Sequence, residues 1–263
     1  MLLGSSFPKK NLNSSNMVIS QMLGMDEQMN NVLLERYVSP EMAHIFSRES
    51  RYGKWRLVWL ALAEAQAELG FPVDPENVEK ARETAERIDF ARVKEIEAET
   101  RHDVMAHLKH WAEICPEVNK TIHIGATSCY VTDNAECILH KEALHFIIDK
   151  MRVLFKHLEH QAYLTAYTPV LGYTHFQPAS PTTIGKRIAM WLQDLIDDYN
   201  ELVRFHDEML CRGAKGTTGT QASYLELVNG DDDKVRQLDP VSYTHLTLPT
   251  NRVAGGCRWW GGQ

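Results

Sequence analysis

The stretch GYTHFQPA, residues 172–179, decides the fold because it separates two long helical patterns. Apolar residues recur at spacings of three and four over residues 133–165 and again over residues 182–212, which predicts two long helices. Pro178 excludes helix between them, as do the prolines nearby. His175 lies in this short segment, where it can reach a ligand at the end of a helix bundle. The alternative is a loop histidine that hydrogen-bonds a backbone carbonyl.

The remainder of the chain also has helical character, and no alternating strand pattern of useful length appears. The sequence therefore predicts an all-α fold, in which a small N-terminal helical domain precedes the first part of a long helical bundle. Further helices are predicted over residues 55–69, 76–87 and 89–114. The expected divisions are a disordered leader (1–35), the N-terminal domain (36–127), the truncated bundle domain (128–240) and a foreign tail (241–263).

Composition limits the class of protein. A formal net charge of −7 argues against a general nucleic-acid or membrane-surface binder. Five cysteines without a CxxC motif predict neither a disulfide framework nor a zinc site, so a reduced, cytoplasmic compartment is expected. No apolar run approaches the ~20 residues that cross a bilayer.

Residues 100–107, TRHDVMAH, place a cation, an imidazole and a carboxylate side by side. Arg101 can bind a carboxylate or phosphate through two hydrogen bonds, and Asp103 can fix the tautomer of a nearby histidine. The spacing of His102 and His107 does not match HExxH, so this segment does not indicate a metal site. The alternative is a solvated helix face with ordinary ion pairs.

Residues 123–134, HIGATSCYVTDN, are dense in small residues and hydroxyls. Gly125 allows the backbone to approach a ligand closely. Thr127 and Ser128 offer hydroxyl and N–H donors just ahead of the first long helix. A well-capped turn is the alternative interpretation.

Both long helices carry signals at their ends. Asp133, with Glu136 three residues on, predicts a capping box at the start of the first one. After the second one, residues 212–223, RGAKGTTGTQAS, contain more glycine and threonine than a helix cap requires. This segment predicts either a backbone nest for an anion or a flexible loop between helices, and the sequence leaves both open.

Together these segments resemble the fumarase/aspartase superfamily of β-eliminating lyases, and within it the adenylosuccinate lyase family. The resemblance extends from about residue 36 to Asp239. The segments that carry it are RYVSPEM (36–42), RHDVMAH (101–107), HIGATSCYVTDN (123–134), GYTHFQPA (172–179), TTIGKR (182–187) and KGTTGTQAS (215–223). Their combination resembles adenylosuccinate lyases rather than fumarases, aspartases or argininosuccinate lyases.

The resemblance implies a reaction that releases fumarate from adenylosuccinate, giving AMP, and from the succinyl-carboxamide ribotide of purine biosynthesis. A base removes a proton next to a carboxylate while an acid protonates the leaving nitrogen. The resemblance implies no metal and no organic cofactor. It also implies a homotetramer in which three subunits contribute to each site.

The resemblance assigns the catalytic roles to His175, as the general acid, and to His102, which supports it and orients the substrate. The expected substrate-binding residues are Arg36, Tyr37, Arg101, Asp103, Thr127, Ser128 and Gln221. The first two are expected to hold the phosphate. Thr127 and Ser128 are expected to bind the succinyl carboxylates, and Gln221 the substrate through its side-chain amide. The two residues that flank His102 complete the pocket.

The resemblance ends near Asp239. The family's loop of the SSxMPxKxNP kind, which carries the serine base, is not found in this sequence. Residues 241–263 match nothing in the family, and SYTHLTLPT within them resembles translated sequencing adaptor. We therefore expect a truncated, inactive lyase with a loosely packed foreign tail. The alternatives are a non-catalytic helical fragment that self-associates and another fumarate-releasing lyase such as argininosuccinate lyase.

Overall fold

A computed structural model of the protein describes residues 32–247. It does not describe the side chains of Glu35, residues 243–245 and Thr247. Most of the expected leader and residues 248–263 of the expected tail lie outside the described residues. The all-α prediction is confirmed, since helices dominate the described part of the chain and strands form one two-stranded sheet there.

The elements follow one another along the chain with short connections. The helices are α1 Val32–Arg36, α2 Pro40–Ile45, α3 Arg48–Glu68, α4 Pro75–Thr84, α5 Phe90–Thr100, α6 Asp103–Ile114, α7 Ser128–Leu164, α8 Ile184–Glu208, α9 Ala222–Leu227 and α10 Asp232–Thr247. A 3₁₀ helix at Pro116–Lys120 lies between α6 and α7. Strands β1 Pro169–Thr174 and β2 Gln177–Thr183 lie between α7 and α8.

The described chain divides into two compact units, one of residues 32–139 with 211–247 and one of residues 140–210. The expected domain boundary between residues 127 and 128 stays a prediction, and the compact units divide later, between residues 139 and 140. The reason is that the first three turns of α7 belong to the core of the first unit, where Tyr130, Val131 and Ala135 are buried. The helical periodicity predicted the long helix but could not show which part of it packs in which unit.

Helix α3 is the centre of the first unit. Its alanines and leucines are strong helix formers, and the Ser47 hydroxyl caps it by accepting a hydrogen bond from the backbone N–H of Ser50 at 3.1 Å. Val58, Trp59 and Leu62 are fully buried within it. Burial of this helix on nearly all sides explains why it lacks a distinct polar face.

Helix α10 packs against α3, and this corrects the expectation of a loose tail from residue 241. The helix continues past Pro240 to Thr247, and Ser242 and Leu246 are both buried. Leu246 belongs to the same apolar core as Leu238, which precedes the proline. The family resemblance offered no pattern for this segment, whereas packing depends only on apolar residues at helical spacing.

In the second unit, the stretch that separates α7 from α8 is a β-hairpin rather than an irregular loop. Strands β1 and β2 pair antiparallel, with Thr174 opposite Gln177. His175 and Phe176 form the two-residue turn, and both have positive φ, at 50° and 60°. Positive φ at both central residues is the pattern of a type I′ turn, which non-glycine residues adopt only at a cost. The prolines of β2 concealed the strand, because they break the usual strand composition.

Gly185, in the first turn of α8, allows that helix to approach the end of α7. A Cβ atom at this position would lie 2.3 Å from the carbonyl oxygen of Ala162 and 2.7 Å from Cα of Ala166. We expect Gly185→Ala to destabilise the second unit by about 1–3 kcal/mol, the usual cost of overpacking. The matched control is Gly53→Ala within α3, where a Cβ has nothing within 4 Å and should stabilise by about 0.5–1 kcal/mol.

Hydrogen exchange of the α8 amides measures this effect locally, and thermal unfolding measures it globally. Faster exchange in α8 for the Gly185 variant, with no such change for the Gly53 variant, is the expected result. Equal protection of α8 in both variants would contradict the close approach.

Candidate active site

The RHD segment lies at a break between two helices, which corrects the prediction of one helix over residues 89–114. Arg101 ends α5 in the left-handed conformation, with φ 52°, and His102 is the N-cap of α6. The Thr100 hydroxyl donates to the carbonyl of His102 at 3.2 Å and stabilises the break. The residues themselves are compatible with helix, so periodicity alone could not detect it. The break brings the segment to a helix N-terminus, where free N–H groups favour an anion.

The ring of His102 has polar groups at both nitrogens. Nδ1 lies 3.4 Å from the backbone nitrogen of Met105 and 3.4 Å from Oδ1 of Asp103. Nε2 lies 3.4 Å from the hydroxyl oxygen of Ser128. When the ring is neutral, Nδ1 accepts from Met105 and Nε2–H faces Ser128.

The start of α7 supplies the hydroxyl groups of the site. Helix α7 begins at Ser128, five residues before the predicted capping box, so Asp133 lies inside the helix and does not cap it. The hydroxyl of Thr217 donates to that of Thr127 at 3.4 Å, which joins the glycine- and threonine-rich segment to this helix start. Two helix N-termini, those of α6 and α7, thus meet at His102, Thr127 and Ser128. Such N-termini favour negatively charged groups.

Residues 212–221 form a loop that several hydrogen bonds tie to the rest of the first unit. The side chain of Asn134 accepts from the backbone N–H of Arg212 at 2.7 Å, and Asp239 accepts from that of Ala214. Gln221 donates its side-chain N–H to the carbonyl of Ala214 at 3.0 Å. One N–H of the Gln221 side-chain amide therefore holds the loop, and the second N–H and the carbonyl oxygen remain for a ligand.

Gly125 connects this loop with the segment before α7. The hydroxyl of Ser223 donates to the carbonyl of Gly125 at 2.8 Å. Gly125 has φ 74°, and a Cβ at this position would lie 2.9 Å from the ring of Tyr224. Both its conformation and this close approach require glycine. The sequence analysis predicted a close backbone approach here, but to a ligand rather than to an aromatic ring.

His123 is a second imidazole of the site, to which the sequence analysis assigned no role. Its φ is 68°, and its Nδ1 accepts a hydrogen bond from the indole N–H of Trp59 at 3.0 Å. Burial, and secondarily the charge of His102, lowers the pKa of His123 to about 4. Only its position, two residues before Gly125, could have indicated it in the sequence.

The two predicted phosphate-binding residues lie at the end of α1. Arg36 and Tyr37 are exposed, and Tyr37 is 75% exposed. Within residues 32–247, no hydrogen bond joins either side chain to His102, Thr127 or Ser128. Their assignment to the phosphate stays a prediction, as does that of the exposed Arg101.

His175 belongs to the second unit, where it occupies the tip of the β-hairpin. Its side chain is exposed, and Phe176 beside it is 100% exposed. Two exposed side chains held at positive φ on a two-residue turn are a costly arrangement for stability alone. His175 is therefore exposed on a two-residue turn of its own unit.

The described residues contain neither a metal cluster nor a membrane span. Among residues 32–247, no three His, Cys, Asp or Glu side chains form a group that could hold a metal ion. No helix within those residues combines the length and the apolar character needed to span a bilayer.

The described chain thus combines two long helices with a cluster of N–H and hydroxyl donors at two helix N-termini. A model of the lyase family matches residues 35–229, and the chain belongs to that family. The particular relatives it matches are adenylosuccinate lyases. It is 46% identical to that of Saccharomyces cerevisiae over 210 residues, which cover 79% of this chain and 44% of the yeast protein. It is 41% identical to that of Schistosoma mansoni over 216 residues, 82% of this chain and 45% of that protein.

A solved structure shares the fold. The 3-carboxy-cis,cis-muconate lactonizing enzyme of Pseudomonas putida superimposes with a TM-score of 0.72 at 25% identity, over 83% of this chain and 49% of that one. The chain thus spans less than half the length of the relatives and of the solved structure that it matches.

Proposed function

We propose that this chain supplies the acid and the carboxylate-binding part of an adenylosuccinate lyase site. The single observation that carries the proposal is the meeting of His102, Thr127 and Ser128 at the N-termini of α6 and α7. The names of the relatives indicate the substrate, and this cluster offers the donors that a dicarboxylate needs.

In the proposed reaction, a base removes a proton from the carbon next to a succinyl carboxylate. The electron pair forms the C=C bond of fumarate while the C–N bond breaks. His175 gives its proton to the leaving nitrogen, so that AMP departs with a neutral amine. The same elimination would release fumarate from the succinyl-carboxamide ribotide, since the reacting atoms are alike.

The helix N-termini explain how charge is stabilised during this step. Removal of the proton places negative charge on the adjacent carboxylate, and fixed N–H and hydroxyl donors stabilise that charge without rearranging. Thr127 and Ser128 would hold the succinyl carboxylates, and His102 would orient the substrate through Nε2. Gln221 would bind the substrate through its side-chain amide, one N–H of which also holds the loop.

The remaining assignments follow from the same proposal. Arg36 and Tyr37 would bind the phosphate, because both are exposed and can move to meet a ligand. Arg101 and Asp103 would complete the pocket beside His102. The enzyme would act as a homotetramer in the cytoplasm, with sites built from more than one subunit.

Substrate choice tests the proposal. Residues 1–240 of this chain, joined to the remaining C-terminal part of the S. cerevisiae relative, form what we call the completed chain. It should release fumarate from adenylosuccinate and from the succinyl-carboxamide ribotide, but not from argininosuccinate or malate. Faster release from either of the last two would overturn the substrate assignment. Size-exclusion chromatography with light scattering checks the tetramer in the same preparation.

A further inference from the structure

Trp59 and His123 form a hydrogen bond whose direction is fixed by chemistry. Trp59 is fully buried in α3, and its Nε1 lies 3.0 Å from Nδ1 of His123, with the two rings perpendicular at 90°. An indole N–H can only donate. Nδ1 of His123 must therefore be the lone-pair nitrogen, and the proton of the neutral ring lies on Nε2.

The surroundings of His123 keep this ring neutral near pH 7. Burial, and secondarily an electrostatic interaction with His102, lowers its pKa to about 4. Protonation would have to occur at Nδ1, where the indole N–H already points. The ring therefore offers one polar hydrogen, at Nε2, over the whole neutral range of pH.

We propose that Trp59 is a positioning residue whose indole N–H holds His123 as the Nε2–H tautomer, so that His123 serves the site as a neutral hydrogen-bond donor to an oxyanion of the ligand. In this role His123 is neither the acid nor the base of the reaction. The assignment of the Nε2–H tautomer depends only on the contact with Trp59, whereas the hydrogen bond from His123 to the ligand rests on the proposed function. His123 precedes Thr127 by four residues in the segment that leads into α7, and Thr127 and Ser128 are proposed to serve the same kind of group.

The chain offers a matched control for a test of this role. Trp59→Phe keeps an aromatic ring against Trp55 and Trp111, its neighbours in the core, but removes the N–H. Trp55→Phe makes the same chemical change four residues before it, where the buried Nε1 has no hydrogen-bond partner. Any effect of lost volume in the aromatic core should be common to both variants, while an effect through His123 should appear only in the first.

The first measurement is the ¹⁵N spectrum of the histidine rings in the full chain, with His123→Gln used to assign the signals. Wild type should show His123 protonated at Nε2 and unprotonated at Nδ1. Trp59→Phe should populate the Nδ1–H tautomer and raise the titration midpoint of His123, and Trp55→Phe should change neither. A wild-type ring protonated at Nδ1 would overturn the proposal before any variant is made. So would an unchanged ring in a folded Trp59→Phe protein.

The second measurement is the rate of the completed chain. Trp59→Phe should lower kcat/KM about tenfold, which corresponds to one hydrogen bond of about 1.4 kcal/mol, and should alter its pH profile. Trp55→Phe should stay within about twofold. In a His123→Gln background, Trp59→Phe should have no further effect, because the two residues act as one unit.

The two measurements separate the two claims. An inactive completed chain with the expected ring spectrum would reject the proposed function and leave the tautomer in place. An active completed chain whose kcat/KM is unchanged by Trp59→Phe would reject the donor role of His123.

Discussion

Replacing His175 with asparagine in the completed chain should lower kcat by about 10²–10⁴-fold, the usual contribution of a general acid. Asparagine is the informative choice because it tolerates the left-handed conformation that this turn position requires, at φ 50°, whereas alanine would add backbone strain. It keeps a polar side chain of similar reach but has no proton to give. KM should change little, since the acid acts mainly on the leaving nitrogen in the transition state.

The control is His157→Asn on α7, an exposed histidine to which no role is assigned. It should leave kcat within about twofold. The limb of the pH profile that belongs to the acid should disappear in His175→Asn alone. A loss of less than a few-fold with the turn intact would return His175 to the status of a structural residue.

The free energy of unfolding should fall steeply in mild acid, because the first unit buries neutral histidines beside a cation. His107 is almost fully buried and stacks on Tyr52 with ring centroids 4.0 Å apart, and its backbone carbonyl accepts a hydrogen bond from the guanidinium of Arg56 at 3.3 Å. Burial, then the charge of Arg56 and then that of His110, lowers its pKa from 6.5 to about 3. Arg56 remains a cation in this range, since burial lowers its pKa only to about 9.

The direction of the effect follows from proton counts. Above pH 6.5 the ring is neutral in both states and contributes nothing. Between pH 6.5 and 3 the unfolded chain binds a proton that the folded chain does not, so stability falls as the pH falls. A tenfold difference in proton affinity between the two states corresponds to about 1.4 kcal/mol, so His107 alone accounts for a loss on the order of 3–5 kcal/mol across that window.

Urea unfolding at several pH values between 7 and 4 measures this loss. His107→Gln should unfold at lower urea at pH 7 yet show a flatter dependence on pH than wild type. The exposed His157→Gln should follow the wild-type curve. Equal slopes for wild type and the His107 variant would show that another group controls acid unfolding, such as the half-buried His123.

The periodicity of apolar residues predicted the long helices because residues at spacings of three and four form one apolar face along a helix. The first of them was expected over residues 133–165 and is Ser128–Leu164, and the second over residues 182–212 and is Ile184–Glu208. The ends differ because capping is decided by single contacts. Asp133 is a residue type that commonly caps helices, but here it lies inside α7. Its carboxylate pairs with Arg212, which lies outside that helix, at 3.2 Å.

Two features of the site could not be predicted from local pattern. The break at Arg101 and His102 interrupts residues that favour helix, and it exists because a left-handed residue and an imidazole cap end one helix and begin another. The hairpin around His175 contains prolines and a bulge at Gly172, where a Cβ would lie 2.7 Å from the carbonyl oxygen of Ser180. Both depend on contacts across the chain rather than on composition.

Some of the site residues could be predicted from the sequence, and others are identified only by contacts in the folded chain. The sequence predicted His102, Thr127 and Ser128, and the structure brings them together at two helix N-termini. The sequence contained no indication that Trp59 contacts a site residue, because a tryptophan in an apolar helix is indistinguishable from any other core residue. Its contact with His123 joins residues 64 positions apart, and such contacts exist only in the folded chain.

The most direct test of the central claim is the product balance when the completed chain acts on adenylosuccinate. Fumarate and AMP are measured together, with aspartate as the third quantity. An elimination carried out by this site should give fumarate and AMP in equal amounts and no aspartate. Aspartate in place of fumarate would mean hydrolysis, and no turnover by a folded, completed tetramer would mean that this chain does not supply the adenylosuccinate site.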